Sequence, residues 1–160
     1  GMEYLRTNNL KTATLSLLKA KEINPTDPLI YSELGVIHYK QKNYKEAKKH
    51  HQEALALCHP DASFWVVETI LTNLAHACRK LKDYKSAISF LEQCVSLNAA
   101  NPQTFFSLAF IYHLSGQLNK AISFYHKSLK FKHDNQFAQE MLQKALTDAS
   151  DLSWDAVYNY

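Results

Sequence analysis

The chain has 160 residues, of which 46% are hydrophobic and 21% charged, the composition of a globular protein with a sizeable core. A formal net charge of +3 is too small to indicate nucleic acid or an anionic membrane as the main partner. No apolar run reaches the ~18 residues of a membrane span, and no signal-peptide pattern is present, so neither insertion into a membrane nor secretion is expected.

The cysteines do not form a recognisable framework. Cys58, Cys78 and Cys94 are odd in number and show no CxxC spacing. We therefore expect reduced thiols in a cytosolic or nuclear protein.

The low content of glycine and proline, three and four residues, is typical of a helical chain.

In chain order, pairs of amphipathic helices are predicted, and the pairs repeat. A partial repeat at 1–26 is followed by repeats at 27–60, 61–100 and 101–134. Small residues recur in two columns of the repeat, and within each column successive residues are 40 and then 34 positions apart. The first column holds Ala47, Ala87 and Ala121, and the second holds Ala54, Cys94 and Ser128. The partial first repeat leads us to expect further repeats upstream in the natural protein.

Asp27-Pro28 and Asn101-Pro102 are predicted to start helices, with the polar residue as N-cap and proline at the first helical position. Six extra residues within 61–68 predict a longer turn or a longer helix start. Residues 135–148 are predicted to form a capping helix. Residues 149–160 show no period and are predicted to be a tail, whose Trp154, Tyr158 and Tyr160 either fold back or are loosely held.

These columns resemble those of the tetratricopeptide repeat, a helix–turn–helix unit of about 34 residues. The resemblance covers nearly the whole chain. It implies an all-α fold, a right-handed α-solenoid occupying 1–148. Lys42 and Lys82 stand where Gly116 occupies the turn of the third repeat.

The run "LAHACRKLK" at 74–82 raises the alternative of a catalytic thiolate at Cys78 with His76 as its base. Two residues apart on a helix, these side chains point to different faces, so a buried structural thiol is the favoured interpretation. A metal site would need His76, His113 and Glu33 together, and we do not expect one. No Gly-rich phosphate loop or catalytic carboxylate pair is present, and neither an enzyme nor a cofactor is predicted.

In a solenoid of this kind the first helix of each repeat lines the concave surface. The exposed face of these helices carries an unusual mixture of aromatic, amide and ionic side chains that suits an extended peptide. We predict a partner-binding groove formed by Glu33, Tyr39, Asn73, His76, Arg79, Phe106 and Phe110. A clamp for a C-terminal carboxylate is not expected, because the matching positions hold Ser32, Glu33, Thr69 and Ser107 rather than lysines. His50 and His51, beside three lysines, are predicted to lie on a solvated outer face or to form a docking patch.

Several stretches, among them "DPLIYSELGVIHYKQKNYKEA" and "NLAHACRKLKDYKSAISF", resemble the C-terminal repeats of the cell-division-cycle-sixteen type of anaphase-promoting complex subunit. The resemblance implies a non-catalytic scaffold in a ubiquitin ligase, located in the nucleus and cytoplasm. It implies other subunits of that complex as partners, including a very small subunit whose extended N-terminus binds the groove. It also implies homodimerisation of the full-length protein through upstream repeats. A generic tetratricopeptide adaptor in transport or RNA processing stays open as the alternative.

Overall fold

The structure is a computed structural model that describes the backbone of residues 2–158 and the side chains of residues 9–152. Within residues 2–158 it contains eight α-helices and no strand. The helices are α1 (Met2–Ile23), α2 (Pro28–Lys40), α3 (Tyr44–Leu57), α4 (Phe64–Lys80), α5 (Tyr84–Leu97), α6 (Pro102–Leu114), α7 (Leu118–Phe131) and α8 (Gln136–Tyr158). No helix among the described residues combines the length and apolar composition of a membrane span.

The chain forms two compact units. The first, Gly1–Asp83, contains α1 to α4, and α3 packs against both α2 and α4. The second, Tyr84–Tyr160, contains α5 to α8, and α7 packs against both α6 and α8. Each unit therefore buries its apolar stripes through contacts between helices that are neighbours in sequence.

The two predicted N-caps are confirmed. The Asp27 carboxylate accepts a hydrogen bond from the Leu29 backbone N–H at 2.9 Å, and the Asn101 side chain accepts one from the Gln103 backbone N–H at 3.0 Å. Each bond satisfies one of the helix's free N–H groups, and the proline that follows each cap has no N–H to satisfy.

The small-residue columns are buried, as the repeat pattern predicts. All three alanines of the first column are completely buried, as are Ala54 and Cys94, and Ser128 is 1% exposed. The Ser128 hydroxyl also donates a hydrogen bond to the Pro102 carbonyl at 2.8 Å. Small side chains at these positions let the helix backbones approach closely, so larger residues there would force the helices apart.

Four of the six extra residues lengthen the start of α4, and two lengthen the connection before it, which has six residues (58–63) against four (98–101) between α5 and α6. α4 has 17 residues, against 13 for each of α2 and α6, and it begins at Phe64. Its first two aromatic rings, Phe64 and Trp65, contact each other at 4.2 Å between centroids and remain exposed.

A capping helix at 135–148 and a tail at 149–160 were predicted, and the predicted helix end at residue 148 is wrong. α8 begins at Gln136 and continues without interruption to Tyr158. No glycine or proline stands after residue 148 to end it, and Ser150, Asp151 and Leu152 are exposed, so no apolar period is required there. The side chains of Trp154, Tyr158 and Tyr160 lie outside the described residues. The other repeat boundaries stay predictions.

Candidate partner-binding site

Three of the predicted groove residues line one cavity in the first unit. Tyr39 projects from α2, and Asn73 and His76 project from α4, around a space of about 100 Å³. Asn73 and His76 are three residues apart and therefore share a helix face. Val36, Lys40 and His51 complete the lining.

The histidines of this cavity are uncharged near neutral pH. Burial lowers the pKa of His76, and the nearby positive charge of Arg79 lowers it further. Burial also lowers the pKa of His51 to about 4, with a smaller effect from His50. The Nδ1 atom of His51 is buried and has no hydrogen-bond partner among the described residues. Together with the Asn73 amide, these rings give the cavity neutral hydrogen-bonding groups, and the exposed Lys40 is the charged residue of its lining.

Arg79 joins the same wall through Tyr39. Its Nη2 donates a hydrogen bond to the Tyr39 hydroxyl at 3.4 Å, linking the ends of α4 and α2. Burial raises the pKa of Tyr39 despite the opposing effect of the guanidinium, so the hydroxyl stays protonated. The Tyr39 ring also packs edge-on against Tyr44, with centroids 5.2 Å apart. The cavity rim at this end is thus held in place by contacts from three helices.

Glu33 does not line this cavity. It lies on α2 and is exposed, one helical turn before the position of Val36. Its carboxylate is available to a cation that approaches the first unit from solvent.

The two predicted aromatic residues of the second unit lie side by side on α6. Phe106 and Phe110 stack with centroids 6.3 Å apart and an interplanar angle of 11°, and both are half-buried. Phe106 also contacts Tyr125 of α7 and Phe137 of α8, at 5.7 and 5.4 Å. Phe106 therefore has a packing role as well as a partly accessible ring.

The residues considered for a catalytic thiolate or a metal site do not come together in the described part of the chain. Cys78 is completely buried, and this burial raises the pKa of its thiol, the reverse of what a nucleophile requires. His113 Nε2 lies 2.8 Å from the Asp148 carboxylate, and its Nδ1 lies 3.5 Å from the Tyr125 hydroxyl. Among the described residues, no three His, Cys, Asp or Glu side chains are grouped as metal ligands.

His51 belongs to the cavity, which sequence reasoning did not recognise. The expectation of a solvated outer face is wrong for this residue, because its side chain is 1% exposed and His50 is half-buried. The spacing contained the signal: residue 51 lies four positions after Ala47 and three before Ala54, on the buried stripe of α3.

Comparisons with known proteins agree with this architecture. Models of the tetratricopeptide repeat match residues 27–100 and 102–135. The chain is 45% identical over 148 residues to anaphase-promoting complex subunit 6 of Arabidopsis thaliana, covering 92% of this chain and 27% of that protein. It is 33% identical over 145 residues to the cell division cycle protein 16 homolog of Homo sapiens, covering 89% and 23%. The chain thus spans about a quarter of the length of these relatives.

Among solved structures, the APC/C hetero-tetramer Cut9-Hcn1 contains a chain that superimposes with a TM-score of 0.80 at 29% identity. The match covers 91% of this chain and 28% of the other. The similarity to subunit 6, cell division cycle protein 16 and Cut9 confirms the resemblance drawn from the residues. The two repeat matches together cover well over half of the sequence, and the chain belongs to the tetratricopeptide repeat family.

Proposed function

We propose that this chain is a non-catalytic scaffold segment of an anaphase-promoting complex subunit, and that it binds an extended segment of a small partner subunit. The observation that carries the proposal is the cavity where Asn73, His76 and His51 supply neutral polar groups and the exposed Lys40 is the one charged residue of the lining. A peptide backbone is also neutral and has both donors and acceptors, which an amide and uncharged imidazoles can pair.

The surrounding groups suit the ends and side chains of such a segment. Glu33 is exposed on α2 and would attract an N-terminal ammonium or a basic side chain. In the second unit, the stacked rings of Phe106 and Phe110 offer an apolar surface to aliphatic side chains. The similarity to Cut9, whose solved hetero-tetramer contains Hcn1, supports a partner of the Hcn1 type.

The test is calorimetric titration of the chain with a synthetic peptide containing the N-terminal residues of an Hcn1-type subunit. We expect binding, and we expect Asn73→Ala to weaken it about tenfold, since a desolvated peptide group would lose its partner. Gln52→Ala is the matched control, because Gln52 is an exposed amide on α3 outside the cavity. The melting temperatures of both variants should equal that of the wild type within error.

Two results would reject this proposal. One is the absence of any binding by the wild-type chain at peptide concentrations well above the micromolar range. The other is undiminished affinity of the Asn73→Ala variant.

We propose that the full-length protein forms a homodimer through repeats outside this chain, and that it works in both nucleus and cytoplasm. Sedimentation of the full-length protein and of this chain tests the first part, with a dimer expected only for the former. Fluorescence imaging of the tagged full-length protein tests the second, and signal confined to one compartment would contradict it.

A further inference from the structure

The turns that join the two helices of each repeat share one backbone conformation. Lys42, Lys82 and Gly116 occupy equivalent positions with φ of 64°, 61° and 77°, the left-handed region. In each turn, the residue after the left-handed one donates its backbone N–H to the carbonyl five residues before it, at 2.9 Å. The pairs are Asn43 to His38, Asp83 to Cys78 and Gln117 to Tyr112, and this bond is typical of a Schellman motif.

Lysine is an unfavourable residue for this conformation. The left-handed region brings Cβ close to the backbone, a clash that glycine avoids and that lysine cannot relieve by hydrogen bonding. Gly116 shows that glycine serves the same turn in this chain. Lys45 is also unfavourable for folding, because it lies in the first turn of α3, where the helix dipole repels a cation. Folding therefore does not explain Lys42, Lys45 or Lys82.

Contacts within the first unit bring two of these turns together. The Lys80 ammonium lies 5.9 Å from the centroid of the Tyr44 ring, at the start of α3. Lys48 of α3 forms an ion pair with Asp83 at 3.1 Å, on the far side of the α4 turn. The α2–α3 turn and the end of α4 are therefore neighbours on the same edge of the unit.

This edge has an excess of positive charge. Lys42, Lys45, Lys80 and Lys82 are all exposed, and we call them the basic edge. The segments 40–46 and 79–83 contain two acidic residues, Glu46 and Asp83, and Lys48 already neutralises the second. Exposed cations that share one edge, three of which oppose the local backbone preference, indicate a surface kept for a partner.

We propose that the basic edge is a docking surface for an acidic protein segment, a short run of aspartate and glutamate residues on a partner chain. The four lysines come from two neighbouring turns, and their positive charge is complementary to a run of carboxylates. None of the four lysines lines the cavity of Asn73 and His76, and the proposal does not depend on what binds there.

The chemistry of the edge favours carboxylates over nucleic acid. The four lysines are compact point charges that pair with single carboxylates, Arg79 of the same segment hydrogen-bonds to the Tyr39 hydroxyl, and a net charge of +3 is too small to indicate nucleic acid. The adjacent rings of Tyr39 and Tyr44 pack against each other and are half-buried, so they offer no platform for stacking bases.

The test measures the fluorescence anisotropy of labelled octaglutamate titrated with the whole chain at about 50 mM salt, where exposed charges are weakly screened. Octaglutamine and octathymidylate serve as comparison probes. We expect octaglutamate to bind most tightly, with an affinity that falls as salt is added. The Lys42→Gln/Lys82→Gln variant should bind it at least about fivefold more weakly. The control, Lys130→Gln/Lys132→Gln, removes two exposed cations of α7 and its C-terminal end and should bind as the wild type does.

A second variant separates binding from folding. Lys42→Gly/Lys82→Gly removes the same charges but relieves the left-handed strain, so its melting temperature should rise by roughly 2–4 °C per site while octaglutamate binding falls. The proposal is overturned by equal weakening in the Lys130/Lys132 control, by equal affinity for octaglutamine, or by tighter binding of octathymidylate. Unchanged octaglutamate affinity in the glycine variant would also overturn it.

Discussion

The imidazole ring of His51 on α3 lies directly against the backbone of Gly35 on α2. A Cβ added at residue 35 would be 2.6 Å from the ring's Cε1 and 2.7 Å from its Nε2. The ring is buried, so it could make way only by moving into the cavity that it lines and giving up its present packing. Gly35 is therefore required here for the absence of a side chain, and it fixes the separation of α2 and α3.

The first prediction follows from this contact. Gly35→Ala should lower the free energy of unfolding by about 1–3 kcal/mol, because the added methyl group overpacks a buried helix crossing. Urea unfolding measures the change. In a His51→Ala background the space vacated by the ring should accept the methyl group, and the cost of Gly35→Ala should fall. An equal cost in both backgrounds would contradict the packing described here.

The second prediction concerns the pH dependence of stability. The pKa of His51 is about 4 in the folded chain, against about 6.5 for an ordinary histidine. As pH falls from about 6.5 to 4, the unfolded chain takes up a proton that the folded chain does not. Stability from this residue is therefore complete above pH 6.5 and decreases below it, by about 3 kcal/mol once pH is under 4.

Urea unfolding at pH 7.5 and pH 4.5 measures this loss. The groups facing His51 are His50 on its own helix and Tyr39, Lys40 and His76 around the cavity. Since His50 and His76 also have lowered pKa values, some acid sensitivity should remain without His51. The variant His51→Phe should show a shallower decline, and a decline as steep as that of the wild type would contradict the assignment to this ring.

The third prediction concerns the attachment of α8. His113 of α6 is close to the Asp148 carboxylate at 2.8 Å, and the two side chains are 11% and 42% exposed. Asp148→Asn should weaken this contact by about 1 kcal/mol, the modest value of a partly exposed charged hydrogen bond. Hydrogen exchange of the α8 amides should become faster, with little change elsewhere. Asp151→Asn, an exposed residue of the same helix, is the control and should leave the exchange rates unchanged.

The fourth prediction tests the small-residue columns with two alanines of α3. Ala54 is completely buried, whereas Ala56 is exposed. Ala54→Leu should destabilise the chain by about 1–3 kcal/mol, because the larger side chain separates tightly packed helices. Ala56→Leu adds the same atoms on the solvent side and should change stability by less than about 0.5 kcal/mol. Thermal unfolding of both variants checks the register, and similar melting temperatures would refute it.

Much of the fold could be predicted from the residues alone because its causes are local. The N-caps at Asp27 and Asn101 depend on side chains within two residues of the bonds that they make. The buried columns containing Ala47 and Ala54 follow from the helical period of a single segment. The site depends on contacts between helices. The sequence predicted Tyr39, Asn73 and His76 as neighbours on one wall, and the structure places them around one cavity. Their binding role stays a prediction.

By itself the sequence determined the helical class, the repeat period and the faces of each helix, because helix periodicity and caps are properties of short segments. Only the tertiary structure decided what covers those faces. His51 has a polar side chain, yet it is buried because Gly35, on another helix, leaves space for its ring. α8 continues to Tyr158 although its residues show no period after 148, and Lys42 and Lys82 take the left-handed conformation that glycine would take more easily. For His51 the deciding partner lies on another helix, where the pattern of a single segment does not reach.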